Sequence, residues 1–239
     1  AAIHAMRVLT DPADTGAVTL SLPQDVQSEA YDYPVEFFAK RVHHIDRRAV
    51  ANTALQRAVD KITQKKKPLI VAGGGVHYSL ATEALRNFAE AFNIPVAETQ
   101  AGKSALAWDH PLNVGGVGVT GALAANVLAK EADLIIGVGT RFTDFTTSSK
   151  AAFQNPDVEF VSININPFDA VKMNAEVVVA DAKQALHDLT EALQGRGYRT
   201  SYEQQHINEL TGQWRQEVDR LYRDEKPEGL SQTRVLGEI

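Results

Sequence analysis

Cysteine is absent from this chain of 239 residues. Its absence excludes disulfides, thiolate metal sites and a thiol nucleophile, and it fits the reducing cytoplasm expected as the compartment. An excess of basic charge is missing too. With 24 Lys and Arg against 30 Asp and Glu the formal net charge is −6, whereas a nucleic-acid partner needs a basic face. No apolar run approaches the length that crosses a bilayer, and the N-terminus shows no charged-then-apolar signal pattern. Neither nucleic acid nor membrane is therefore an expected partner. The first residue is Ala rather than Met, so a piece of a longer polypeptide is expected. What is present is ordinary for a globular protein, with 44% hydrophobic and 23% charged residues. That suits one large α/β domain with appendages.

The patterned part begins near Ala49. Ala51, Ala54, Leu55, Ala58, Val59 and Ile62 keep the spacing of an amphipathic helix. Lys65-Lys66-Lys67 closes it, as cations suit a helix C-terminus. Apolar runs that suit buried strands follow at Pro68-Leu-Ile-Val-Ala72, Ile94-Pro-Val-Ala-Glu98 and Leu134-Ile-Ile-Gly-Val138. Residues 159–165 and 176–180 read the same way, with one short strand at residues 112–115 inside a glycine-rich loop. Helical stripes lie between them at Ala81, Ala84, Leu85, Phe88 and Phe92, then at Leu123, Val127 and Leu128. Another runs from Ala182 to Leu193 and is stopped by Gly195 and Gly197. A short helix is expected around residues 149–153. Strands alternating with helices over residues 68–194 predict right-handed crossovers and a doubly wound parallel sheet of α/β class.

The flanks are less regular. Residues 2–9 suit the end of a helix, 11–16 a turn cluster, and 17–22 a lone strand stopped by Pro23. Residues 24–47 suit a linker. Ile207, Leu210, Trp214, Val218 and Leu221 fall near heptad spacing. Residues 225–239, with Pro227 and Gly229, end in a short apolar tail.

The stretch Asp133-Leu-Ile-Ile-Gly-Val-Gly-Thr-Arg-Phe-Thr-Asp-Phe145 organises the functional reading. A buried strand here delivers polar side chains just past its carboxyl end, the edge at which open α/β sheets bind ligands. Arg141 can take an anionic group bidentately or pair with Asp144. Gly73-Gly74-Gly75 also follows a strand, but Tyr78 stands where a dinucleotide fingerprint has its third glycine. The best-placed acid for a ribose is Glu98. A tight turn near some ligand is the better reading of these glycines. His43, His44, His77 and His110 do not keep a metal-ligand spacing, and no Gly-x-Ser-x-Gly elbow supports a serine nucleophile.

Taken together, the segments are more specific than any one of them. Pro68-Leu-Ile-Val-Ala-Gly-Gly-Gly75, Ile94-Pro-Val96, Gly102-Lys103, Asp109-His-Pro-Leu112, the glycines from Gly115 to Gly121, the run from Ala132 to Phe142, and Val179-Ala-Asp181 occur in one order. This order resembles the central domain of thiamine-diphosphate-dependent enzymes of the acetohydroxyacid synthase and pyruvate oxidase type. The resemblance implies a Rossmann-like, six-stranded sheet in the order 3-2-1-4-5-6. It also implies a division into residues 1–35 (tail of a pyrimidine-binding domain and linker), 36–200 (central domain) and 201–239 (linker helix and start of a pyrophosphate-binding domain). Leu112-Asn-Val-Gly-Gly-Val-Gly-Val-Thr-Gly121, Phe142-Thr-Asp-Phe-Thr-Thr147, Ser149-Lys150, Phe153-Gln-Asn-Pro156 and Ile163-Asn-Ile-Asn166 resemble one branch in particular. Its members are carbon–carbon hydrolases that open a cyclic diketone in inositol catabolism, with thiamine diphosphate and Mg2+, and are often labelled acetolactate synthase-like.

Two departures sharpen the likeness. Keto-acid synthases of the family carry an Arg where this chain has Phe145, which offers no charge to a carboxylate. FAD-binding relatives carry an acid where this chain has Asn164, so FAD is not expected. The family's catalytic Glu and its metal and pyrophosphate motif have no match here. The resemblance therefore implies a non-catalytic fragment with no metal site of its own, from a parent that forms a homodimer or homotetramer. Its candidate substrate wall, or remnant nucleotide pocket, comprises Gly74, Gly75, Arg141, Asp144, Asn164 and Asp181. The alternatives are the central domain of another thiamine decarboxylase or carboligase, and a free-standing nucleotide-binding regulatory module.

Overall fold

In the computed structural model, which describes residues 1–226 and 229–239, the six apolar runs between residues 68 and 180 all form strands. The chain divides into two compact units, residues 1–47 and 48–239. Helix α1 (Ala2–Leu9) lies in the smaller one.

The larger unit opens with α2 (Asn52–Thr63), which buries Ala58, Val59 and Ile62. Strand β1 (Pro68–Ala72) is followed by a single turn, α3 (Gly75–Tyr78), and then α4 (Thr82–Phe92). Helix α4 buries Leu85, Phe88, Ala89 and Phe92, and Asn93 ends it in the left-handed conformation. Strands β2 (Val96–Glu98) and β3 (Asn113–Gly116) precede α5 (Leu123–Glu131). Strand β4 (Leu134–Val138) leads into a single turn, α6 (Asp144–Thr147). Strand β5 (Glu159–Asn164), the turn α7 (Pro167–Ala170) and β6 (Glu176–Val179) complete the sheet. Two long helices follow, α8 (Ala182–Gly195) and α9 (Gln204–Tyr222). Strand β7 (Glu225–Lys226) pairs antiparallel with β8 (Gly229–Leu230), and α10 (Gln232–Gly237) ends the unit. Pro227 lies outside the described residues.

The strands run parallel in the order β3-β2-β1-β4-β5-β6, as the resemblance implied. Every residue of β1 and β4 is buried, so helices cover both faces of the sheet centre. That double covering is why these strands read as unbroken apolar runs rather than as alternating ones. Burying each Leu or Ile side chain there contributes about 1.5–3 kcal/mol over leaving it exposed.

One edge of the sheet is sealed. Residues 198–204 cross the amino ends of the strands as a strap. Ser201 N–H donates to the Lys66 carbonyl at 2.8 Å, and the Thr200 hydroxyl donates to the Phe92 carbonyl at 2.9 Å. The Asn93 amide donates to the Tyr202 carbonyl, and the Gln204 amide donates to the Pro111 carbonyl. Asp133 closes the same edge by accepting from the backbone N–H groups of Lys66 and Lys67, at 2.7 and 2.9 Å. Among the described residues no such strap crosses the carboxyl edge.

Two local expectations are corrected, and one element appears that the sequence pattern did not announce. Residues 149–153 form no helix; the helical turn lies earlier, at α6. Ser148, Ser149 and Lys150 all have positive φ (48°, 54° and 68°), and three left-handed residues in a row cannot extend a right-handed helix. The turn α7 has no apolar period to announce it. It is set by Pro167 at its first position and by Asn166, whose side chain accepts from Phe168 N–H at 2.8 Å.

The second correction lies in the smaller unit, where residues 17–22 form no strand and are exposed. An isolated strand leaves its backbone donors and acceptors to water and gains nothing over other extended conformations. Besides α1, that unit contains a turn in which Asp11 accepts from Ala13 and Asp14 N–H. It also contains a cluster of the rings of Tyr31, Tyr33, Phe37 and Phe38, with centroids 5.0–6.2 Å apart.

Candidate functional site at the carboxyl edge

All six candidate residues follow the carboxyl ends of β1, β4, β5 and β6, or, for Asn164, form the end itself. Their side chains have different work to do. Gly75 is a packing residue. Its N–H donates to the Gly139 carbonyl at 3.0 Å, and a Cβ on it would come to 2.5 Å from Gly139 Cα. The loops after β1 and β4 thus cross with their backbones in contact, which only glycines permit. Gly74 is the roomier neighbour, with Ala101 Cβ nearest at 3.2 Å.

Asn164 is 7% exposed and spends its carboxamide inside the protein. Its Nδ2 donates to the Thr140 carbonyl at 3.0 Å, and its Oδ1 accepts from Asn166 N–H at 3.0 Å. It braces the loop after β4 against the end of β5. Asp181, 6% exposed, caps α8 by accepting from Lys183 and Gln184 N–H at 3.0 and 3.4 Å.

Arg141 and Asp144 are the two candidates with exposed charged side chains. Among the described residues no ion pair joins them. Asp144 instead accepts from the Ser149 hydroxyl at 3.1 Å, and the Arg141 carbonyl accepts from Lys172 Nζ. Between them Phe142 turns inward with φ 46° and sets its ring edge-on to Phe160, 5.8 Å between centroids. Phe145 points out and is 60% exposed.

Glu98 is no free acid for a ribose: it is buried, and its Oε1 accepts from Leu106 N–H at 3.1 Å. His77 and His110 bond separately, His77 to the Lys103 carbonyl and His110 to Glu90, each at 3.0 Å. Among the described residues no group of three His, Asp or Glu could hold a metal ion. These residues therefore do not fit a metal–diphosphate site.

Sequence reasoning overlooked Asn126. It lies on α5 and grips the backbone of Gly118 from both sides. Gly118 N–H donates to its Oδ1 and its Nδ2 donates to the Gly118 carbonyl, each at 3.0 Å. The only signal in the sequence is a lone amide within the apolar run Leu123–Ala129 of this helix, just after a glycine loop.

An open parallel sheet closed at its amino edge, with crossed glycine loops at the other, defines a doubly wound α/β domain. Residues 55–189, more than half of the chain, match the family described as thiamine pyrophosphate enzyme, central domain, and the chain belongs to that family. Among curated relatives it is 52% identical over 263 residues to 3D-(3,5/4)-trihydroxycyclohexane-1,2-dione hydrolase of Clostridium tetani. All of this chain and 41% of that protein are covered. It is 58% identical over 222 residues to the hydrolase of that name from Bacillus thuringiensis (strain Al Hakam), covering 93% of this chain and 34% of the relative. The Clostridium perfringens (strain 13 / Type A) hydrolase is 56% identical over 221 residues, covering 92% of this chain and again 34% of the relative. The chain thus spans well under half the length of these relatives.

Proposed function

We propose that this chain is the non-catalytic central domain of a longer thiamine-diphosphate-dependent enzyme. That enzyme uses water to cleave a carbon–carbon bond of 3D-(3,5/4)-trihydroxycyclohexane-1,2-dione, opening the ring of this cyclic diketone of inositol catabolism. The observation that carries the reading is the 52–58% identity, over 92–100% of the chain, to relatives named for that hydrolysis. The site chemistry supports it. Phe145 brings no cation for a keto-acid carboxylate, and the Asn164 carboxamide is already committed to Thr140 and Asn166. Residues 1–35 and 201–239 are taken as the joints to the neighbouring domains. The sites for thiamine diphosphate and Mg2+ are taken to lie outside this chain. The assembled enzyme is a cytoplasmic homodimer or homotetramer.

In this reading the carboxyl edge is a wall of the substrate pocket. Arg141 and Asp144 offer polar contacts to hydroxyl groups, Gly74 leaves room beside Ala101, and the exposed ring of Phe145 excludes water. Assaying the full-length protein with thiamine diphosphate and Mg2+ on the cyclic diketone and on pyruvate tests the proposal. Hydrolysis of the diketone is expected; acetolactate formation without it overturns the substrate assignment. Calorimetry of this chain with FAD, ADP and NAD should show no micromolar binding, which would instead favour a nucleotide-binding module.

A further inference from the structure

Two large apolar side chains stand exposed on adjacent loops of the carboxyl edge, Val119 at 59% and Phe145 at 60%. Their loops are tied directly, since Val119 N–H donates to the Phe145 carbonyl at 3.0 Å. Gly118, at φ 111°, is pressed so closely on Phe145 that any Cβ there would overlap the Phe145 carbonyl. What holds Gly118 in place is the Asn126 carboxamide. It satisfies both backbone groups of one residue, as a neighbouring strand would. The loop closes on itself through Gly121 N–H to the Gly118 carbonyl and Ala122 N–H to the Gly116 carbonyl, at 2.9 and 2.7 Å. A tether from helix α5 thus runs through Gly118 to the two exposed apolar side chains.

We propose that Asn126 is a positioning residue for substrate. It fixes the Gly118 loop so that Val119 and Phe145 present one preformed apolar surface, against which the carbon face of a polyhydroxylated ring packs. The proposal rests on the hydrolase reading for the identity of that ring. Asn126 touches no reacting atom, so its loss loosens binding and leaves the chemical step intact.

The test uses Asn126→Ala and Asn126→Asp in the full-length protein with thiamine diphosphate and Mg2+. The carboxylate of N126D still accepts from Gly118 N–H but cannot donate to the Gly118 carbonyl. For N126A, KM for the cyclic diketone should rise about tenfold, the size expected from two lost net hydrogen bonds. Its kcat should stay within about threefold and its thiamine diphosphate affinity should not change; N126D should fall between. In parallel, hydrogen exchange on this chain should speed up at the Gly118 and Val119 amides in N126A and stay unchanged in β1 and β4. An unchanged KM overturns the proposal, as does unchanged exchange at Gly118. So does a fall in kcat that tracks lost cofactor binding or lost folded protein, which would make Asn126 merely structural. If the unmodified enzyme makes acetolactate from pyruvate and leaves the diketone intact, the hydrolase reading fails. Asn126 is then judged by the same KM-against-kcat split on pyruvate, so the two failures are distinguishable.

Discussion

At the scale of single residues, the carboxyl edge is built by close backbone approach and committed amides. Gly75→Ala should cost about 1–3 kcal/mol in denaturant unfolding, because its Cβ would meet Gly139 Cα, which belongs to a backbone that cannot step aside. The same substitution at Gly74, where the nearest atom is a side-chain carbon at 3.2 Å, should cost less than half as much. Asn164→Asp tests whether the nucleotide pocket can be restored by one substitution. The new carboxylate would face the Thr140 carbonyl with no N–H to offer. Unfolding should therefore show a loss of about 1–3 kcal/mol, and calorimetry should show no gain of FAD binding.

At the scale of elements, the strap across the amino edge should govern the response to alkali. Tyr198 donates its hydroxyl to the Lys65 carbonyl, while the Tyr202 hydroxyl is buried with no hydrogen-bond partner among the described residues. Burial first, and then the nearby charge of Asp133, push both phenols above their ordinary range. A folded-state pKa raised in this way gives stability that is fully present below the unfolded pKa of about 10 and is lost as pH rises beyond it. Phenolate absorbance from these two residues should appear only together with loss of near-ultraviolet dichroism. Tyr202→Phe should move alkaline unfolding to higher pH without costing stability at neutral pH, since it removes an unsatisfied hydroxyl.

On the opposite side of the pH range, Glu159 links β5 to α2 and the segment after it, through Lys61 at 2.5 Å and Lys65 at 2.6 Å. Hydrogen bonds from Lys61 and then Lys65 lower its pKa. Its contribution is therefore present above about pH 4.5 and fades as pH falls through the lowered value. The carboxylate is 43% exposed, and water screens the pair. Glu159→Gln should thus lose only about 0.2–1 kcal/mol at pH 7, a difference that calorimetric melting should find vanishing in acid.

At the scale of the whole molecule, the buried hydrophobic cluster is drawn from residues between Ala58 and Leu210, all in the larger unit. Removing residues 1–47 should leave the melting temperature of the remainder within a few degrees, by scanning calorimetry, because no part of that cluster is lost.

The six strands, their parallel direction and the longer helices α2, α4, α5 and α8 were legible in the chain, because a sheet covered on both faces leaves continuous apolar runs between periodic stripes. Strand order and family were legible through the order of several glycine and loop segments, which no single motif carried. The placement of Phe145 just past β4 was legible for the same reason. Other features belong to the tertiary structure alone. The left-handed run at Ser148, Ser149 and Lys150 displaced a helix that local pattern favoured. The strand expected at residues 17–22 found no partner to pair with. Gly73 and Gly75 pack against the Gly139 backbone, and the side chains of Asn164 and Asp181 form a brace and a cap. Asn126 became visible only once Gly118 was folded against it. Periodicity records which side of an element meets the core; which loops touch, and which amide holds them, depends on contacts between residues that the sequence keeps apart.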